Sequence, residues 1–277
     1  MGIKAAELRN IEINLPDLHT QSQIAQILTS FDDKIELLGQ MNQTLETMAQ
    51  TIFKEWFVDF NFPGFDGELV DGLPKGWRMG KLGELTDKIS KGTTPTQNDL
   101  ANLEISIPFL KVKDINNNGA ISTENIELIP IDVHKNQLKR SILETNDILF
   151  SIAGTIGRVA ILDSSLNDSN CNQAIAFIRL NNKEKYLEFV YLWLKNENVQ
   201  NYINSSIVQG VQANVSLAVL SSIDIIVPKE KNICDWTNVV KPIFSKIKNN
   251  QHQIRTLTQL RDNLLPKLMS GQIEIER

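Results

Sequence analysis

Cysteine is scarce in this chain. Its 277 residues hold two, Cys171 and Cys234, too far apart for metal-ligand spacing. That usage fits a reducing compartment, the cytoplasm, and excludes a disulfide-built scaffold. Long apolar runs are missing as well: nothing approaches the ~18 residues that cross a bilayer. The segment Met1–Asn10 has no apolar signal-peptide core, and Ala6 stands where a myristoylation site needs Ser or Thr. Membrane and secretory readings are therefore not expected. Catalytic motifs are also absent. His19, His134 and His252 are isolated, and no HExxH, GxSxG or GxxxxGK[ST] occurs. The nearest glycine cluster, Gly154-Thr155-Ile156-Gly157, fails the dinucleotide fingerprint and reads as a tight turn rather than a phosphate cradle. The carboxylates are scattered, so no metal or paired-carboxylate site is expected.

Positive charge is lacking overall, with a formal net charge of -5. Counted by segment, residues 1–60 carry 4 bases and 9 acids, 61–72 three acids, 73–227 15 bases against 16 acids, and 228–277 9 against 5. No segment has the field for strong nonspecific DNA binding, so a DNA reader would need a local patch or cationic partners.

What the chain does have is helical periodicity. Ile24, Leu28, Phe31, Ile35, Leu38, polar Asn42, Leu45, Ala49, Ile52 and Trp56 recur at steps of four and three. Trp236, Val240, Ile243, Ile247, polar Asn250, Ile254, Leu257, Arg261, Leu264 and Leu268 repeat that rhythm, with Pro242 near the start and Pro266 near the end. Both are coiled-coil seams in which a single Asn sets register. The two are copies: a shift of 212 residues places Leu8 on Leu220, Ile11 on Ile223, Ile13 on Ile225, Pro16 on Pro228 and Ile35 on Ile247. The repeated unit is an LxxIxIxxP strand, a connection and a long helix. A helix over Gln21–Phe57 would be about 55 Å long, stiff enough to serve as a spacer.

A Pro- and Gly-punctuated stretch, 62–77, marks a domain boundary. Beyond it, Ile107–Val112, Asp147–Ala153, Gly157–Leu162 and Gln173–Leu180 read as strands, and Tyr186 to about Asn201 as one amphipathic helix. The expected class is α+β: one mixed α/β domain (63–228) flanked by helical regions 1–62 and 229–277 that form an antiparallel coiled coil. Six of the 18 aromatics, Phe53, Trp56, Phe57, Phe60, Phe62 and Phe65, fall within 13 residues. They read as a plug between helix and domain, or as a protein-docking site. Side chains suited to base edges and phosphates lie in turns: Lys91, Thr93, Thr94, Lys111, Lys113, Arg158, Asn172, Gln173, Gln209, Gln212 and Asn214. Solvated loops and a recognition surface both explain them.

Together these features resemble the specificity subunit of type I restriction-modification systems. The resemblance is carried by the strand-plus-helix repeat, by Lys54-Glu55-Trp56-Phe57-Val58-Asp59-Phe60 and by Asp147-Ile148-Leu149-Phe150-Ser151-Ile152-Ala153-Gly154-Thr155-Ile156-Gly157-Arg158. The ending Leu260-Arg261-Asp262-Asn263-Leu264-Leu265-Pro266-Lys267-Leu268-Met269-Ser270-Gly271 adds to it. So do Pro108–Ile115 and Asn172–Phe177, which are similar to that family's target recognition domain. The resemblance implies a non-catalytic reader of double-stranded DNA. Methyltransferase subunits would bring S-adenosylmethionine, and a restriction subunit would bring ATP- and Mg-dependent cleavage. Usual members have two recognition domains, whereas this chain has one and looks like a second half, whether a natural half gene, a truncation or an excised fragment. A bipartite target would then need a second copy of the chain or another specificity chain. The alternative is a coiled-coil adaptor whose globular domain binds protein or another ligand.

Overall fold

The computed structural model describes residues 15–96, 105–208 and 214–272. In chain order its regular elements begin with helix α1 (Leu18–Phe57) and strands β1 (Leu69–Val70), β2 (Leu73–Pro74), β3 (Arg78–Lys81) and β4 (Thr86–Lys91). Next come β5 (Ile105–Leu110), β6 (Glu127–Pro130), the short helix α2 (Ile131–Lys135), β7 (Ile148–Ser151), β8 (Val159–Ile161), β9 (Asn170–Cys171) and β10 (Ile175–Leu180). The chain continues through helices α3 (Lys183–Lys195), α4 (Glu197–Val208) and α5 (Leu217–Ser221), strand β11 (Asp224–Val227) and helix α6 (Glu230–Met269). Mixed helix and sheet make this the expected α+β class. Two compact units result: Thr47–Phe244, and the described residues up to Glu46 together with those from Ser245 on.

The smaller unit is a pair of helical segments. Asp17 starts α1 by accepting the Thr20 N–H at 2.9 Å, satisfying a backbone donor that no carbonyl of the first turn can reach. Every seam position there, from Ile24 through Leu45 and from Ile247 through Leu268, is buried or half-buried. Leu38 and Ile247 are the most enclosed of the apolar ones beside Leu268. Asn250 Nδ2 donates to Asn42 Oδ1 at 2.9 Å, and Arg261 Nη1 donates to Asp32 Oδ1 at 2.7 Å. As the first partner falls in number the second rises, which is antiparallel pairing. The two polar seam positions lie opposite one another, so neither amide is buried against hydrocarbon alone.

In the larger unit a four-stranded antiparallel sheet, order β4-β10-β7-β8, separates two cores. Its strands alternate: Ile148, Phe150, Ala176 and Ile178 face one core, and Leu149, Ile175 and Phe177 the other. The first core contains the aromatic cluster. Phe57 lies 4.8 Å from Phe189 and 5.2 Å from Trp236, ring centre to ring centre, and Phe62 stacks on Trp77 at 4.9 Å. The cluster is thus an internal plug, with Phe53 and Phe57 almost wholly enclosed. On the other side a second sheet, β6-β5-β9, places β9 parallel to β5, and β11 pairs with β3. Of the second LxxIxIxxP copy only Asp224–Val227 is a strand, β11; Leu220 lies in helix α5 and Ile223 lies between the two, and Leu220, Ile223 and Ile225 are all buried. Residues 8–14 of the first copy lie outside the described residues.

Three sequence expectations need correction. The single helix Tyr186–Asn201 is two helices, α3 and α4. Asn196 adopts an extended ψ of 138°, and its side chain accepts the Asn198 N–H at 2.9 Å, so it ends one helix and starts the next. The strand expected at Ile107–Val112 is β5, Ile105–Leu110, followed by a 3-10 turn, Val112–Asp114, in which Asp114 accepts the Lys111 N–H at 2.8 Å. Helix α6 begins at Glu230, so Pro242 lies in its interior. Asn238, whose carbonyl loses its partner, is exposed and open to water.

Candidate nucleic-acid interface

The turns singled out in the sequence are far apart along the chain, yet backbone hydrogen bonds draw them together where β4, β5, β7 and β9 end and β8 and β10 begin. Gly92 N donates to Ile175 O at 3.1 Å, Thr93 N to Cys171 O at 3.2 Å and Asn172 N to Leu110 O at 2.9 Å. Ile152 N reaches Ala174 O at 2.8 Å, and Val215 N reaches Ile152 O at 2.9 Å. Lys91, Thr93 and Thr94, Lys111 and Lys113, Arg158, Asn172 and Gln173, and Asn214 therefore border a single region. Gln209 and Gln212 lie outside the described residues.

The geometry rests on residues whose importance was not legible from residue type. A Cβ on Gly92 would run into the Cys171 and Asn172 carbonyl oxygens, so only glycine lets β4 pass that close to the β9–β10 connection. Ser151, buried at the end of β7, donates to Thr155 O at 2.6 Å and accepts the Arg158 N–H at 2.8 Å. This closes the turn whose glycines, Gly154 and Gly157, have φ of 72° and 91°, confirming the tight-turn reading. Asn170 accepts from His134 Nδ1 at 2.5 Å and donates to Leu138 O at 3.2 Å, anchoring β9 from beneath. Only the short-range Ser and Gly pattern of the β7–β8 turn could have been found in advance.

The side chains differ in how free they are. Lys91, Thr93, Thr94, Lys113, Gln173 and Asn214 are exposed. Thr94 Oγ1 donates to Gln173 Oε1, tying the first turn to the β9–β10 connection. Asn172 uses its Oδ1 on the Ala174 N–H at 3.2 Å. Lys111 and Lys113 share Glu127, at 2.6 and 3.6 Å. The Lys111 hydrogen bond and both ammonium charges hold the Glu127 carboxyl below its usual range against the cost of its partial burial. Arg158 turns inward. Its Nη1 donates to Val112 O at 3.1 Å and Ile115 O at 2.7 Å, while Nε is buried without a partner. Its guanidinium therefore braces the segment that carries the two lysines.

Below the surface, Asp147 is fully buried and takes a two-pronged bond from Arg179, at 3.0 and 2.8 Å. That bond raises the guanidinium's proton affinity and keeps both charges paired in the core. Among the described residues no cluster of three or more His, Cys, Asp and Glu could hold a metal ion, and no helix is long and apolar enough to cross a membrane.

The model of the type I restriction modification DNA specificity domain matches residues 2–47 and 74–264. The HindI specificity subunit of Haemophilus influenzae is 30% identical, over 95% of this chain and 69% of that protein. The MjaIX specificity subunit of Methanocaldococcus jannaschii is 29% identical, over 99% of this chain and 63% of that protein. The chain thus spans about two thirds of the length of these relatives. Among solved structures, the S subunit of a type I restriction-modification system from M. genitalium superposes with a TM-score of 0.58 at 18% identity. That match covers 96% of this chain and 65% of that one, and is a likeness of fold.

Proposed function

Because the chain belongs to the type I restriction-modification DNA specificity family, we propose that it is the non-catalytic, sequence-reading subunit of such a complex, acting on double-stranded DNA in the cytoplasm. One observation carries the reading: five chain segments rich in Lys, Thr, Asn and Gln are held on one border of the larger unit by main-chain hydrogen bonds. Rigid presentation of such side chains is what base-edge readout needs, because a bidentate pair discriminates only when its donor and acceptor are already aimed. Lys91, Thr93, Thr94, Lys113, Gln173 and Asn214 are the expected contacts, with Gln209 and Gln212 beside them in sequence.

One reading domain serves one half of a bipartite target. The other half would come from a second copy of this chain or another specificity chain. Methyltransferase subunits would then supply S-adenosylmethionine, and a restriction subunit ATP- and Mg-driven cleavage. The seam helices would hold the assembly. The test is an anisotropy titration of the full chain, with and without purified methyltransferase subunits, against random duplex and against a duplex carrying the site found by methylation mapping. Selective binding to the mapped site supports the reading. Equal affinity for both duplexes, or none for either, overturns it in favour of an adaptor.

A further inference from the structure

The larger unit has no net positive charge with which to attract DNA through its overall field, so the distribution of uncompensated charge is decisive. Residues 73–227 contain 15 lysines and arginines. Eight are ion-paired with carboxylates, as Arg78 is with Glu84 and Lys81 with Asp224. Arg158, Lys195 and Lys88 are engaged with backbone carbonyls. Lys91, Lys135, Lys139 and Arg140 remain, and among the described residues none pairs with a carboxylate.

Lys135, Lys139 and Arg140 are neighbours on the segment from the end of α2 to the following 3-10 turn. Lys88 and Lys91 lie on β4, where pairing with β10 sets Lys88 opposite Arg179 and Lys91 opposite Ala176, so the two face opposite sides of the sheet. The two stretches are joined where Lys88 Nζ donates to Arg140 O at 2.7 Å. Only Asp87 and Asp132 oppose them within strand β4 and residues 131–140. The cluster also abuts the recognition border: Asn170 bonds to Leu138 O, and the next residue, Cys171, accepts the Thr93 N–H. Protection of an edge strand would account for Lys88 and Lys91 alone, since β4 is the outer strand of its sheet. It does not account for Lys139 and Arg140, exposed on a turn.

We propose that Lys135, Lys139 and Arg140, on a segment buttressed by Lys88, form a ridge that takes the sugar-phosphate backbone of duplex DNA beside the reading turns, without regard to base sequence. The inference rests on the DNA-reading function proposed above and adds to it the source of affinity that net charge fails to provide. Lysines, as flexible point charges, suit phosphates at varying positions. An acidic protein is disfavoured because the ridge is continuous with the turns that carry base-reading side chains.

The test uses the full chain, alone and with methyltransferase subunits, on a fluorescent 30-base-pair random duplex from 25 to 200 mM NaCl. In Lys135→Ala/Lys139→Ala/Arg140→Ala the slope of log affinity against log salt should shrink by roughly 2 to 3, at about 0.9 per phosphate contact, and affinity at 100 mM should fall about tenfold or more. The fall should be equal for all duplexes. The charge-keeping variant Lys135→Arg/Lys139→Arg/Arg140→Lys should retain both slope and affinity, and a thermal melt should show the alanine variant folded. An unchanged slope in a wild type that does bind DNA overturns the ridge and leaves the function standing. Loss confined to one base position makes these residues readers and also overturns it. Loss of binding to polyglutamate with no change on DNA assigns the patch to an acidic protein instead. If the wild type binds no duplex in either form, the proposed function itself falls.

Discussion

Arg158→Met should weaken DNA binding through residues that the arginine itself does not carry. Methionine keeps the apolar stem but removes the two donations from Nη1 to Val112 O and Ile115 O, at 3.1 and 2.7 Å. Hydrogen bonds from a charged donor are worth about 1.5 to 3 kcal/mol each, so their loss costs about 3 to 6. The buried Nε has no partner, and removing it recovers about 1 to 3 kcal/mol of desolvation. At the middle of those ranges the balance is on the order of 2 to 3 kcal/mol, and it comes out of the order of Lys111–Ile115. Ile115 is fully buried, so its freed carbonyl lacks easy access to water. The assay is a double-mutant cycle of Arg158→Met against Lys111→Ala/Lys113→Ala, read as affinity for the mapped duplex. A brace predicts that the arginine change matters little once the lysines are gone, with a coupling of about 1 kcal/mol or more. Strict additivity, with discrimination lost at a single base pair by Arg158→Met alone, would refute the brace and make the guanidinium a reader.

Gly92→Ala should place a methyl against the Cys171 and Asn172 carbonyl oxygens; backbone cannot yield as a side chain can, so a loss of more than about 2 kcal/mol in urea melts, with loss of site preference, is expected. Asn250→Ala should orphan the Asn42 amide that it now pairs with and lower stability by about 1 to 3 kcal/mol, whereas Asn42→Leu/Asn250→Leu should raise the melting temperature while loosening register. Burial pushes the Cys171 thiol up to about 12, so Ellman's reagent at pH 8 should titrate one thiol, Cys234, in the folded chain and two in guanidinium. The sign follows from linkage: the folded state holds the Cys171 proton after the unfolded state has lost it. Its contribution to stability is therefore complete below pH 9, the ordinary thiol value, and declines above it by about 1.4 kcal/mol per pH unit at most. A melting temperature unchanged between pH 8 and pH 10.5 in Cys171→Ala, against a fall in the wild type, checks it.

Helices and seams were legible because their cause is local. A 3.5-residue apolar period places Leu38, Asn42, Ile247 and Asn250 on one stripe whatever the rest of the chain does, and the 212-residue repeat shows that the stripe occurs twice. Strands β7, β8 and β10 were legible for a similar reason, each a short β-branched or aromatic run bounded by turn residues. The break at Asn196 was not, because apolar periodicity is silent about a residue whose amide caps the next helix and turns its own backbone extended.

The site was visible only as a list of residue types. Which of its members share a border was decided by contacts between residues remote in sequence, such as the Thr94 hydroxyl on Gln173, 79 positions away. The inward turn of Arg158 depends on carbonyls 43 and 46 positions back. The phosphate ridge required knowing which cations already have carboxylate partners, since a lysine in the sequence carries the same charge whether or not Glu127 lies 2.6 Å from it. Periodicity and composition are properties of neighbours along the chain, and they set the elements. Pairing, close approach and charge compensation are properties of neighbours in space, and only the folded arrangement of those elements supplies them.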